Sequence, residues 1–114
     1  MARVLVADND PGALELALMD LQLEGHTVLG APDGETAMRL VETFDPDVVV
    51  LDYRMPPGPS GLQIAAQLRT QRPELRVLIY SNYQDVMLVR QAADLGVPFL
   101  PKGNLRTLRV AVGS

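Results

Sequence analysis

Four apolar runs in this chain lead into residues that could do chemistry. Val4-Leu5-Val6-Ala7 runs into Asp8-Asn9-Asp10, Val48-Val49-Val50-Leu51 into Asp52, Val77-Leu78-Ile79-Tyr80 into Ser81, and Phe99-Leu100-Pro101 into Lys102. Brought to one place, these residues would join carboxylates, a hydroxyl and an ammonium. Two carboxylates about 5 Å apart repel by roughly 3 kcal/mol at an effective dielectric near 20, so such a cluster takes up protons or holds a cation. Oxygen donors without His or Cys among them favour Mg²⁺ over zinc. A cation beside Asp52, with Lys102 and the Ser81 hydroxyl opposite, suits a phosphoryl group, and a carboxylate there can act as its nucleophile. The chemistry indicated is an aspartyl phosphate on Asp52.

The elements that must position these residues follow from the apolar spacing. Arg3 to Ala7 is too short for a helix and rich in Val and Leu, which predicts a buried strand. Pro11 suits a first helical position with Asp10 as N-cap, and Leu14, Ala17, Leu18 and Leu21 mark one face of a helix to about Glu24, closed by Gly25. Thr27 to Gly30 reads as a second strand. Asp33-Gly34 opens a helix with Ala37, Leu40, Val41 and Phe44 on its apolar face, and Pro46 follows as a stop signal. Asp47 to Asp52 is the third strand. After a Pro- and Gly-rich loop, Leu62, Ala65, Ala66 and Leu68 carry a helix ending near Arg72-Pro73. Arg76 to Tyr80 is a fourth strand, Asp85 to Leu95 a helix with Gly96 beyond it, and Val97 to Leu100 a fifth strand. Pro98 inside that strand places it at a sheet edge, because proline cannot donate to a ladder. Asn104 caps a brief last helix reaching Val112.

Five strands alternating with five helices predict an α/β fold, a doubly wound parallel sheet covered by helices on both faces. Its order is 2-1-3-4-5, the flavodoxin-like arrangement, with ligands bound beyond the carboxyl ends of strands 1 and 3. The four candidate stretches fall at the carboxyl ends of strands 1, 3, 4 and 5, the same edge of the sheet.

Composition narrows the class. With 114 residues, 47% hydrophobic and 21% charged, residues 1–114 read as a single globular domain able to bury its own core. No cysteine is present, which excludes a disulfide framework, thiol chemistry and cysteine-ligated metals. No apolar run approaches a membrane span, and the first residues lack a secretory signal, so a cytoplasmic location is expected. A net charge of −4 argues against non-specific nucleic-acid binding. The charges are uneven: residues 1–57 hold eleven acids against three Arg, and residues 58–114 hold three acids against seven Lys or Arg. Solvated helix faces are the plain reading.

The run Val4 to Pro11, Val50-Leu51-Asp52-Tyr53-Arg54-Met55-Pro56, Gly61-Leu62, Ile79-Tyr80-Ser81 and Phe99-Leu100-Pro101-Lys102 together resemble a response-regulator receiver domain of two-component signalling, over almost the whole chain. The resemblance implies Asp52 as phosphoacceptor, Asp8 with Asn9 as the metal-binding pair for Mg²⁺, and the Arg54 carbonyl as a third metal contact. It implies Ser81 as the switch hydroxyl, Lys102 as the phosphate-contacting lysine and Phe99 as the aromatic that turns on activation. Implied partners are a sensor histidine kinase or phosphotransfer protein, an output domain beyond residue 114, and a second copy docked through helix 4, strand 5 and helix 5. No membrane or direct nucleic-acid contact by this domain is expected. The chain departs from the family at Asn9, where the second acid usually stands, at Asn82 beside the phosphate, and at Gly103, where many members carry Pro. The loop from Met55 to Gly61 is one residue longer than the commonest form.

Plainer roles attach to the neighbours. Asp10 reads first as a helix cap, Phe99 as partly core, His26 as structural or exposed, Tyr80 and Tyr83 as packing, and the Met residues as core filler. Two other functions stay open: a phosphorylation-independent interaction module of the same fold, suggested by Asn9, Asn82 and Gly103, and a small Mg²⁺-dependent phosphohydrolase, suggested by Asp8-Asn9-Asp10.

Overall fold

Strand and helix alternate along the chain in a computed structural model that describes residues 1–83 and 85–113. The order is β1 (Arg3–Ala7), α1 (Pro11–Leu23), β2 (Thr27–Ala31), α2 (Gly34–Phe44), β3 (Val48–Leu51), α3 (Gly61–Gln71), β4 (Arg76–Ser81), α4 (Val86–Asp94), β5 (Phe99–Pro101) and α5 (Leu105–Gly113). All strands pair in parallel in the order β2-β1-β3-β4-β5. The expected flavodoxin-like winding is therefore the observed one.

The central strands explain the continuous apolar runs. All four residues of β3 are buried, and successive side chains point to opposite faces. Val48 and Val50 join Val4, Val6, Leu21, Leu108 and Val112 on the face covered by α1 and α5. Val49 and Leu51 join Leu5, Val41, Ile64 and Leu68 under α2 and α3. A strand buried on both sides has no polar position to give. Each such Val or Leu contributes about 1.5–3 kcal/mol by leaving water.

Several boundaries differ from the sequence reading. β3 is assigned without Asp47 and Asp52, although both continue the ladder: the Asp47 N–H donates to the Arg3 carbonyl at 2.8 Å and the Asp52 N–H to the Ala7 carbonyl at 2.9 Å. β2 gains Ala31 and β4 gains Ser81. The fifth strand shifts from the expected Val97–Leu100 to Phe99–Pro101, so Pro98 lies before it and Pro101 within it. Its edge position holds, since β5 pairs only with β4. On α3 the buried residues include Ile64, while Ala66 is only partly buried. Met19 and Met87 lie on the surface rather than in the core, and Met55 alone among the methionines is fully buried.

Caps set the helix starts. Ser60 and Gln63 form a reciprocal capping box at α3. Asp10 accepts from the Gly12 and Ala13 N–H groups at the start of α1, and Asn104 accepts from the Thr107 N–H at 3.3 Å at the start of α5. Asp33 accepts from the Thr36 N–H at 2.7 Å, and that bond holds its carboxyl below the ordinary aspartate range. A carboxyl lowered by folding stabilises the fold above the unfolded value of about 3.9 and loses that contribution as pH falls through the folded value. Asp33→Asn is accordingly expected to flatten the acid limb of a stability-against-pH curve below about pH 4 while leaving its neutral plateau nearly unchanged.

Candidate functional site

The ladder that builds the sheet also delivers the site. The Asp8 N–H donates to the Ala31 carbonyl at 3.0 Å, the Asp52 N–H to the Ala7 carbonyl at 2.9 Å, and the Lys102 N–H to the Ser81 carbonyl at 3.1 Å. Each residue is thus pinned by its backbone one step past a strand, with the neighbouring strand as anchor. Among the described residues, the buried polar or charged ones are Asp8, Asp52 and Ser81. Burying a polar group is costly unless it is paired. The fold hides three, and all stand at the same end of the sheet.

Lys102 joins the acids. Its Nζ lies 2.5 Å from Asp8 Oδ2 and 3.2 Å from Asp52 Oδ2, and all three side chains are at most 9% exposed. It is the only lysine in a chain that otherwise uses nine arginines. A compact ammonium can sit between two carboxylates where a planar fork would not. Burial disfavours its charge, but the Asp8 hydrogen bond and the charges of Asp52 and Asp8 outweigh that and hold Lys102 above the ordinary lysine range. Burial pushes the Asp8 carboxyl up, and the Asp52 charge adds to the rise. The hydrogen bonds from Lys102 and from the Asp10 N–H, the latter at 2.9 Å to Oδ1, pull it part of the way back.

A cleft of about 450 Å³ opens over this group, and Asn9, Asp52, Ser81, Asn82 and Lys102 line it. Asp10 is turned away into its capping bonds. Phe99 lies outside the cleft, partly buried against the core beneath α2 to α4. His26 is remote and accepts a hydrogen bond from the Ala2 N–H at 3.0 Å. The Gly103 backbone has φ of 98°, a region that proline cannot reach. A second depression of about 490 Å³ runs along α4, lined by Asp85, Val86, Val89, Arg90, Ala93 and Asp94.

On the remaining cleft wall the sequence reading named only the Arg54 carbonyl and took Tyr83 as packing. Arg54, Pro56 and Tyr83 also line it. The Tyr83 ring stacks on Tyr53 with centroids 5.4 Å apart and planes at 23°, and the Arg54 guanidinium carbon lies 4.8 Å from the Tyr83 centroid. The Tyr83 N–H donates to Ser81 Oγ at 3.2 Å. The available signal was position alone: one aromatic directly after Asp52 and another two residues after Ser81.

The donor set suits a hard divalent cation in kind. Asp8 and Asp52 offer carboxylate oxygens, and Asn9 stands on the same cleft with an amide oxygen, the ligand types Mg²⁺ takes. Asn9 removes one charge from that set, and no cluster of three acids or histidines that could hold a metal is found among the described residues.

Comparison with known proteins agrees with the fold that carries these residues. The family model described as the response regulator receiver domain matches residues 4–112. The chain is 41% identical over 108 residues to the probable transcriptional regulatory protein NarL of Mycobacterium tuberculosis, covering 92% of this chain and 50% of that protein. It is 48% identical over 88 residues to the positive alginate biosynthesis regulatory protein of Pseudomonas aeruginosa, covering 75% of this chain and 35% of the relative. The chain therefore spans half or less of the length of these relatives. Among solved structures, the signal receiver domain of NarL from Mycobacterium tuberculosis superposes with a TM-score of 0.86 at 35% identity, covering 97% of this chain and 92% of that one. The response regulator TrrA from Thermotoga maritima, in complex with Mg²⁺-BeF, superposes at 0.88 with 28% identity, covering 99% and 97%.

Proposed function

Because the chain belongs to the response regulator receiver domain family, we propose that it accepts a phosphoryl group on Asp52, from the phosphohistidine of a sensor histidine kinase, from a phosphotransfer protein or from a small phosphodonor. The observation that carries this reading is the buried Lys102 ammonium spanning Asp8 and Asp52, with Ser81 on the same cleft. An Asp52 carboxylate oxygen attacks phosphorus while the bond to the leaving nitrogen or oxygen breaks, and the leaving group departs with that electron pair. Lys102 holds the attacking side in line and then shifts towards the new phosphoryl oxygens. The Ser81 hydroxyl donates to one of them.

Asp8, Asn9, Asp52 and the Arg54 carbonyl are the residues that would hold Mg²⁺. When bound, that ion supplies charge neutralisation to the phosphoryl oxygens. The Mg²⁺-BeF complex of TrrA supports the same pairing here.

Drawing Ser81 inward frees space towards Phe99, and that rotation biases a pre-existing equilibrium on the face of α4, β5 and α5. An output domain beyond residue 114, or a second copy docked through that face, would read it. Regulators twice as long as this chain support the first arrangement. We place the chain, as one domain over residues 1–114, in the cytoplasm, without direct nucleic-acid or membrane contact of its own. No helix among the described residues is long and apolar enough to cross a membrane.

The interaction module that works without phosphorylation keeps one point in its favour, since the ammonium already fills the gap between the acids. The phosphohydrolase reading loses its basis: its second acid, Asp10, is committed to capping α1, and the family is one of signalling domains rather than classical enzymes. Intact mass after incubation with acetyl phosphate and Mg²⁺ separates the first two. One phosphoryl adduct is expected on the wild type and none on Asp52→Ala; an unmodified wild type would leave the interaction module.

A further inference from the structure

Arg54 is the second cation on the wall of the Asp52 cleft. Its side chain is exposed, yet its guanidinium is parked 4.8 Å from the centroid of the Tyr83 ring. Tyr83 is itself held, by the stack on Tyr53 and by the bond from its N–H to Ser81 Oγ. A guanidinium resting on an aromatic face keeps its edge N–H groups available, and that edge matches the oxygens of a phosphoryl group.

Charge gives this placement a purpose. Asp8 and Asp52 contribute −2, Lys102 and Arg54 contribute +2, and the cleft sums to zero; an acid at position 9 would leave −1. An acidic cleft repels a phosphoryl donor until a divalent ion offsets it. This cleft carries the offset in its own side chains.

We propose that Arg54 is a second phosphoryl-holding cation, and that with Lys102 it supplies the charge a complete acidic pair would recruit as a divalent ion, so that Asp52 is phosphorylated with little dependence on Mg²⁺. The proposal rests on the reading of Asp52 as phosphoacceptor. With acetyl phosphate as donor, an Asp52 oxygen forms the O–P bond as the bond from phosphorus to the acetyl oxygen breaks. Acetate leaves with the electron pair, and no proton is taken up or released. The guanidinium edge and the ammonium contact the phosphoryl oxygens throughout. Tyr83 acts as a positioning residue for Arg54.

The test follows the rate of adduct formation by intact mass, with acetyl phosphate in either Mg²⁺ or EDTA. It compares the wild type with Arg54→Gln, Arg54→Lys, Tyr83→Leu and Asn9→Asp, and Mg²⁺ affinity is read separately from amide shifts. The wild type is expected to react in EDTA within about threefold of its Mg²⁺ rate. Arg54→Gln and Tyr83→Leu should lose about tenfold or more in EDTA, with Arg54→Lys between them and the wild type. Mg²⁺ affinity should be modestly tighter in Arg54→Gln, which leaves the cleft at −1, and at least about tenfold tighter in Asn9→Asp, which adds both a charge and a ligand oxygen. An adduct that forms only with Mg²⁺, or an Arg54→Gln rate in EDTA equal to the wild type, overturns the proposal and leaves Asp52 as phosphoacceptor. A folded wild type that forms no adduct under either condition overturns both.

Discussion

Gly61→Ala is expected to destabilise the domain by about 3 kcal/mol and to slow phosphorylation of Asp52 together with it. A Cβ at this position would lie 2.1 Å from the Asp52 carbonyl oxygen, 2.9 Å from its carbonyl carbon and 3.2 Å from the Tyr53 Cα. All three are backbone atoms, so no side-chain rotation can relieve the overlap. The Gly61 N–H donates to the Tyr53 carbonyl at 2.8 Å, and this bond draws the first turn of α3 against the segment that carries Asp52. Relief requires α3 to withdraw, and Asp52 must then shift against Lys102. Gly58→Ala is the matched control: nothing lies within 4 Å of its Cβ, and a change within about 0.5 kcal/mol is expected. Urea denaturation midpoints measure the first effect and adduct rates the second. Equal midpoints for the two variants would refute the argument.

The same close approach shows why the sequence exposed much of the site but not all of it. Asp8, Asp52, Ser81 and Lys102 were legible because each ends an apolar run, and a parallel sheet gathers its strand ends at one edge. The winding order was legible because Val48 to Leu51 admits no polar residue and so had to be central. Pro in the fifth run pointed to an edge, though the residue inside the strand proved to be Pro101. What stayed hidden depends on side-chain direction across loops. No period in the sequence tells that Tyr83 folds back on Tyr53, or that Arg54 turns towards Tyr83 instead of solvent. The weak apolar pattern of α3 likewise favoured Ala66, whereas packing against the sheet selects Ile64. Met19 and Met87 read as core by composition but fall on the outer sides of α1 and α4, where a helix on one face of a sheet leaves its far side wet.

Lys102→Met keeps the length of the side chain and removes its charge, which makes it the sharpest probe of how the acids are held. At neutral pH the variant is expected to lose about 3–5 kcal/mol of stability, because two buried carboxylates are left facing each other without their counter-ion. In the wild type, burial first and the Asp52 charge second raise Asp8, and Lys102 opposes both. Without Lys102 the opposing influence shrinks to the Asp10 N–H, so the folded-state value of Asp8 rises further. A carboxyl raised by folding adds stability below its unfolded value of about 3.9 and loses that contribution as pH rises through the folded value. The deficit of the variant should therefore be smallest in acid and widen as pH rises from about 4 towards neutrality. At the alkaline end the order reverses in kind. The raised Lys102 stabilises the wild type below about 10.4 and is lost as pH climbs through its folded value, a loss the variant cannot show. Phosphorylation of the variant should fall by about a hundredfold or more on the proposed role of the ammonium in meeting the phosphoryl oxygens. Mg²⁺ should raise its melting temperature more than that of the wild type, because a ligand stabilises the state it binds and only the wild type already has a cation between Asp8 and Asp52. Thermal melts across pH, with and without Mg²⁺, read all of these at once. Parallel pH curves for the two proteins, with equal responses to Mg²⁺, would mean that the Lys102 bridge does not hold the acids in place.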